Sequence, residues 1–276
     1  MKKDLNYNNE HLTDLLVGFL KNETNRIGLK KAVIGLSGGI DSAVAAYLSV
    51  KAFGPKNVTC LIMPYKTSSP DSTKDALAVV KTLKVNHRVI DITKIVDAIA
   101  VECGDDDMSK VRKGNIMARV RMILLYDESA VQNGLVIGTG NKTEILLGYS
   151  TIFGDAASAI NPVGDLYKTQ LRSLAKYLKV PEEIISKKPS ADLWKGQTDE
   201  DELGFTYDHV DQYLYQRVDK RKSREALIKM GFESGFMDKV DRLIERSQFK
   251  RLPPIIAKVS KRTMNIDFRY NRDWKT

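Results

Sequence analysis

The chain has 276 residues, 42% of them hydrophobic, enough for a buried core and one large domain or a domain with a substantial appendage. No apolar run approaches the ~20 residues of a bilayer span, and the polar start with its short apolar stretch at 15–20 is no signal peptide. Cys60 and Cys103 form neither a zinc spacing nor a disulfide framework, so a cytoplasmic protein without a membrane partner is expected. The net charge of +9 comes from scattered Lys and Arg, clustered only at 220–224, 250–251 and 258–262 and never interleaved with aromatics. That disfavours nucleic acid and suits polyphosphate substrates or an ordinary solvated basic face.

The spacing of Leu12, Leu15, Leu16, Phe19 and Leu20 predicts an amphipathic helix over 10–26. A short apolar run at 31–36 then ends in Ser37-Gly38-Gly39. A helix is expected over 40–53, stopped by Gly54-Pro55. A strand at 58–63, a helix at 71–83 and a strand at 87–92 follow. Next come a long helix at 115–129, a fourth strand at 135–138 running into a loop, and a helix at 165–178. Strands alternating with helices of this length predict a doubly wound parallel α/β sheet with helices on both faces. The strands read as nearly all apolar, as in a sheet covered on both sides. From about 187 the pattern changes to polar loops and short helices at 207–215 and 237–247. Residues 1–186 are therefore expected to form a nucleotide-binding core, and 187–276 a helical C-terminal extension packed on it.

The segment Gly35-Leu36-Ser37-Gly38-Gly39-Ile40-Asp41-Ser42 carries the chemistry. Glycines let the backbone approach a ligand, and the N-terminus of the following helix offers unpaired N–H groups and partial positive charge, which makes a phosphate site. Ser37 and Ser42 can add hydroxyl donors. Asp41 would repel a bare phosphate and makes sense with a Mg²⁺ ion between them. The Lys of a Walker A loop is missing, as is a GxGxxG fingerprint.

SGGIDS (37–42) resembles the signature of the ATP pyrophosphatase family, which cleaves ATP between its α- and β-phosphates on an adenine nucleotide alpha hydrolase-like fold. The remaining chain is similar to the ammonia-dependent NAD synthetases. The matching segments are KGNIMARVRM (113–122), VIGTGNKTE (136–144), FGD (153–155), KKPSADLWKGQTDEDELG (187–204) and KRLPP (250–254).

The resemblance implies an amide-forming ligase at the last step of NAD biosynthesis. ATP, deamido-NAD and ammonia would be its substrates, Mg²⁺ its cofactor and a homodimer its assembly. Gly35 to Ser42 would surround the ATP phosphates, with Asp41 and Glu144 on Mg²⁺. Thr139, Lys168 and Ser190 would touch ATP, and Lys168 would also serve the chemistry. Arg119, Asn115 and Lys250 would hold deamido-NAD, and Asp155 would attract or deprotonate ammonium. Arg121 reads as one more charge on an amphipathic helix. The chain departs from the family pattern at Ile152 (often lysine), Ala159 (often aspartate) and Phe249 (often histidine), all in the dinucleotide half.

A tRNA-thiolating enzyme would also use the loop but needs a nucleophilic cysteine, and Cys60 lies in a predicted buried strand while Cys103 lies at a helix–loop border. A non-catalytic nucleotide sensor would have little use for both Asp41 and Glu144. With 36 residues before Ser37 and no cysteine in an amidase context, free ammonia is the expected nitrogen source.

Overall fold

The computed structural model describes residues 5–104, 108–194, 196–252 and 254–263. Helix α1 (Asn9–Arg26) is capped by Asn8, whose side chain accepts the Glu10 and His11 N–H groups. Strand β1 (Ala32–Gly35) leads through the glycine turn into α2 (Ile40–Phe53), which stops where Gly54 takes φ 78° and Pro55 follows. Strand β2 (Val58–Ile62), α3 (Pro70–Leu83), β3 (Asn86–Val89) and α4 (Thr93–Glu102) come next. Helix α5 (Lys110–Gln132) then brings the chain back to β4 (Leu135–Val136).

All neighbouring strands run parallel in the order β3-β2-β1-β4, with Ala32 paired to Val58 on one side and to Leu135 on the other. A single parallel bridge from Ile137 to Ile160 extends the pattern past β4. The chain winds outward from β1 through β2 to β3 and then resumes on the opposite side of β1. The crevice where direction reverses therefore lies between the ends of β1 and β4.

Strict alternation along β1 and β2 explains the layers. Ala32, Ile34, Val58, Cys60 and Ile62 face the helices α1, α2 and α7 (Lys168–Tyr177), while Val33 and Leu61 face α4 and α5. The expectation of uniformly buried strands fails at β3, where all four residues are exposed. This is the sheet's edge, blunted by polar side chains, with Arg88 reaching Glu128 of α5 at 2.5 Å. Helix α4, which ends at the helix–loop border expected at Cys103, buries only Val96 and Ala100 of its ten residues.

The chain beyond α7 runs through α8 (Glu182–Ser186), α9 (Asp199–Leu203), α10 (Tyr207–Leu214), α11 (Arg224–Lys229) and α12 (Ser234–Arg246). This extension has more helix than its polar sequence predicts. It builds a further core in which Tyr207, Val210, Tyr213, Leu214, Met237 and Val240 close over Leu147 and Tyr167. Those two residues belong to or adjoin α6 (Lys142–Leu147) and α7, the helices that follow the crevice. Among the described residues no helix is long and apolar enough to cross a membrane.

Candidate active site

The glycine turn is built for close approach. Gly38 has φ 80°, and a Cβ there would lie 2.1 Å from the Ser72 carbonyl oxygen, so the backbone itself lines the floor. Gly39 caps α2 without a side-chain bond, which leaves the helix's first N–H groups to a ligand.

The serines divide their work. Ser37 is exposed and accepts the Gly39 N–H at 3.2 Å, whereas Ser42 is buried. Its hydroxyl donates to Gly39 O at 3.0 Å and accepts the Ser37 N–H at 3.2 Å, so Ser42 braces the turn instead of offering a free donor. Leu36 and Ile40 likewise send their side chains into the core, and the Leu36 N–H is spent on Leu61 O at 2.9 Å. Gly35 packs against Leu125. Of the segment 35–42, only the turn and the start of α2 can face a nucleotide.

Across the crevice, the chain after β4 passes the partly exposed Thr139 and enters α6 through a capping box. Asn141 accepts the Glu144 N–H at 3.0 Å, and Glu144 Oε2 accepts the Asn141 N–H at 3.3 Å. Asn141, fully buried, also donates from Nδ2 to Asp41 Oδ1 at 2.8 Å and so joins the two loops. Its signal was in the sequence, as the N-x-x-E spacing of NKTE before an apolar run.

Lys168, the first residue of α7, completes the centre. Its Nζ donates to Asp41 Oδ2 at 2.5 Å and to Glu144 Oε1 at 2.9 Å, and sits 5.1 Å from the centre of the Tyr207 ring. Burial pushes Glu144 up to about 7, against the pull of the Lys168 ammonium. Burial would lower Lys168, but the Asp41 and Glu144 carboxylates outweigh it and hold the ammonium above the ordinary lysine range. Behind Lys168 lies Asp199, whose carboxyl burial raises; Tyr207 donates to its Oδ2 at 2.9 Å, while its buried Oδ1 has no hydrogen-bond partner among the described residues.

This donor set fits Mg²⁺. Two hard carboxylates converge where a cation already sits, beside the start of α2, and Mg²⁺ is commonly held by one or two carboxylates plus water and phosphate. Among the described residues no cluster of three or more His, Cys, Asp and Glu offers a closed metal cage.

The second half of the site surrounds the turn before Ile160. Asp155 accepts the Thr151 N–H at 2.8 Å, and the Thr151 hydroxyl donates to Asn115 Oδ1 at 2.7 Å. Asp155 stands on an accessible turn, yet protein crowding around its carboxyl raises it, opposed by the Thr151 bond and the Lys250 charge. Arg119 is exposed and donates to Ile152 O at 3.4 Å. Lys250 donates to Gly148 O at 2.7 Å and Ser150 O at 2.6 Å, so it fastens the entry to this turn.

Arg121 corrects the expectation of an ordinary surface charge. It donates to Met63 O at 3.1 Å, and burial lowers its guanidinium, opposed by the Asp192 and Asp155 charges. Asp192 in turn accepts the Ser69 N–H at 3.1 Å and fastens the segment holding Ser190 over the loop after β2. Ser190 itself is exposed and accepts the Asp192 N–H at 3.0 Å. Nothing in the spacing of 113–122 told the two arginines apart.

The NAD synthase family model matches residues 12–254. The chain belongs to the NAD synthase family. An NH3-dependent NAD+ synthetase of Chlorobium phaeobacteroides is 53% identical over 98% of this chain and 97% of its own length. Among solved structures, an NMN synthetase from Francisella tularensis is similar with a TM-score of 0.81 and 37% identity, covering 91% of this chain and 99% of its own. An NH3-dependent NAD synthetase from Campylobacter jejuni gives a TM-score of 0.78 and 34% identity over 91% of this chain and 100% of its own. The parallel sheet with its flanking helices is thus the fold of NAD synthases.

Proposed function

We propose that this chain is an ammonia-dependent NAD+ synthetase that joins deamido-NAD and ammonia at the expense of ATP. The observation that carries the reading is the Lys168 ammonium held between Asp41 and Glu144 beside the open glycine turn, in a chain about half identical to synthetases of that name. The nicotinate carboxylate attacks the α-phosphorus, the bond to the bridging oxygen breaks, and pyrophosphate leaves. Ammonia then attacks the acyl adenylate, AMP departs and the ammonia nitrogen sheds a proton.

The turn's N–H groups and α2 favour the departing pyrophosphate. Lys168 neutralises charge that develops on the phosphoryl oxygens, in a crevice where such a donor acts at low dielectric. Asp41 and Glu144 would hold Mg²⁺, which neutralises phosphate charge when bound. Thr139 and Ser190 flank the nucleotide, Asn115, Arg119 and Lys250 orient the pyridine nucleotide, and Asp155 attracts ammonium to the carbonyl. Residues 187–276 act with 1–186 as one catalytic unit.

A homodimer belongs to this proposal, supported by exposed apolar side chains one turn apart, Ile95 and Ile99 on α4 and Ile123 and Tyr126 on α5. So does a cytoplasmic location, supported by the two free cysteines.

A second acceptor comes from the Francisella tularensis likeness. That acceptor would be nicotinate mononucleotide, the shorter nucleotide whose amidation gives the product in that enzyme's name. The test incubates purified protein with ATP, Mg²⁺ and ammonium plus either acceptor, and separates the products. AMP and pyrophosphate in equal amounts, with NAD the faster product, is the expected result. ADP as the nucleotide product would overturn the mechanism, and faster amidation of the mononucleotide would reassign the substrate.

A further inference from the structure

Asp211 on α10 lies outside every segment that carries the family resemblance, and it is fully buried. Its Oδ1 accepts the Thr143 hydroxyl at 2.6 Å, and its Oδ2 accepts the Thr169 N–H at 2.8 Å. The same Thr143 oxygen accepts the Lys168 N–H at 3.1 Å. Thr143 is the second residue of α6 and directly precedes Glu144; Thr169 is the second residue of α7 and directly follows Lys168. One carboxylate of the C-terminal extension thus grips both helix starts whose side chains meet at the catalytic cluster.

Capping alone does not require this residue. The Thr169 N–H is one of the orphan donors of α7, and any buried acceptor would satisfy it. A neutral Asn or Ser could do so without bringing a carboxyl into a site where burial raises its pKa to about 6. What a carboxylate adds is two acceptor oxygens that serve two elements at once, together with negative charge at the positive end of α7. It therefore fixes the separation of α6 and α7. A misplacement of about 1 Å in such a centre can cost about 100-fold in rate.

We propose that Asp211 is a positioning residue for adenylation, setting Lys168 against Glu144 through Thr143 and the start of α7. The inference rests on the function proposed above. Its test compares kcat and KM for ATP and deamido-NAD in wild type, D211A, D211N, T143V and the double variant D211N/T143V, with thermal midpoints alongside. D211A should lower kcat about 10–100-fold, the usual effect of losing an outer support. The KM for deamido-NAD should stay within about threefold, since that substrate's contacts lie elsewhere. D211N, which keeps one oxygen for Thr169, should recover part of the loss. The double variant should be no slower than the worse single one, because both changes cut the same link.

Additive losses, or activity that merely follows the folded fraction with kcat per folded molecule unchanged, would overturn the proposal. If D211A does not fold, the coupling between D211N and T143V decides. A wild type that forms no NAD refutes the functional reading and this inference with it. A working wild type with unaffected variants refutes the inference alone.

Discussion

Replacing Lys168 by methionine removes the cation between two carboxylates while keeping most of the side-chain volume. Breaking a buried ion pair by deleting one partner costs roughly 3–5 kcal/mol, because the remaining charge is left uncompensated. The Asp41 and Glu144 side chains are 18% and 16% exposed, so water reaches them in part and the lower end applies, about 3 kcal/mol. In a chain of this size that corresponds to a fall of roughly 6–12 °C in thermal midpoint.

The assay is thermal unfolding by circular dichroism above neutral pH in EDTA, repeated with millimolar Mg²⁺. Without Lys168 the carboxylates have no competing cation, so Mg²⁺ should raise the midpoint of K168M more than that of wild type. It should do little for K168M/E144Q. Turnover should fall about 100–1,000-fold, the usual loss for an oriented electrostatic donor. A K168M protein that melts with wild type in EDTA, or gains no more from Mg²⁺ than wild type, would refute the pairing of Lys168 with Asp41 and Glu144.

Gly38→Ala forces a Cβ against Ser72 O at a φ of 80°, so it should destabilise the chain by ~1–3 kcal/mol and weaken ATP binding; denaturant midpoints and calorimetric titration check both. Burial raises Asp211 from the ordinary carboxyl range to about 6, so the folded state holds its proton more tightly than the unfolded one. The resulting penalty is absent in acid, grows as pH rises and is complete above pH 6. The midpoint of D211N relative to wild type should therefore climb between about pH 4 and 6, and parallel curves would contradict the assignment. Ammonia-free glutamine should not replace ammonium in NAD formation by the purified chain, and comparable rates would overturn the proposed nitrogen source.

The local chain chemistry made most of the architecture readable. Apolar runs punctuated by Gly54-Pro55 and Val180-Pro181 marked the strand–helix alternation, and α2 begins and ends where the glycines place it. The turn at 37–42 was legible because glycine, serine and aspartate there answer to short-range demands, such as a positive φ and a helix start without a cap. Short helices were less legible. α6 and α9 run for only six and five residues, too few for a hydrophobic period to repeat, so tertiary packing decides.

The same distinction holds in the site. Asp41 and Glu144 could be named from the sequence, but their union required Asn141 to span two loops and Lys168 to arrive from a third. Arg119 and Arg121 are two residues apart on one helix, and only the fold turns Arg121 onto Met63 O at the end of β2 while Arg119 stays exposed. Asp211 had no local signal, since its partners lie 68 and 42 residues away in the chain. A sequence records the conformational needs of each short segment; which charges share a crevice is settled by the crossover connections and by the core that closes α10 over α6 and α7.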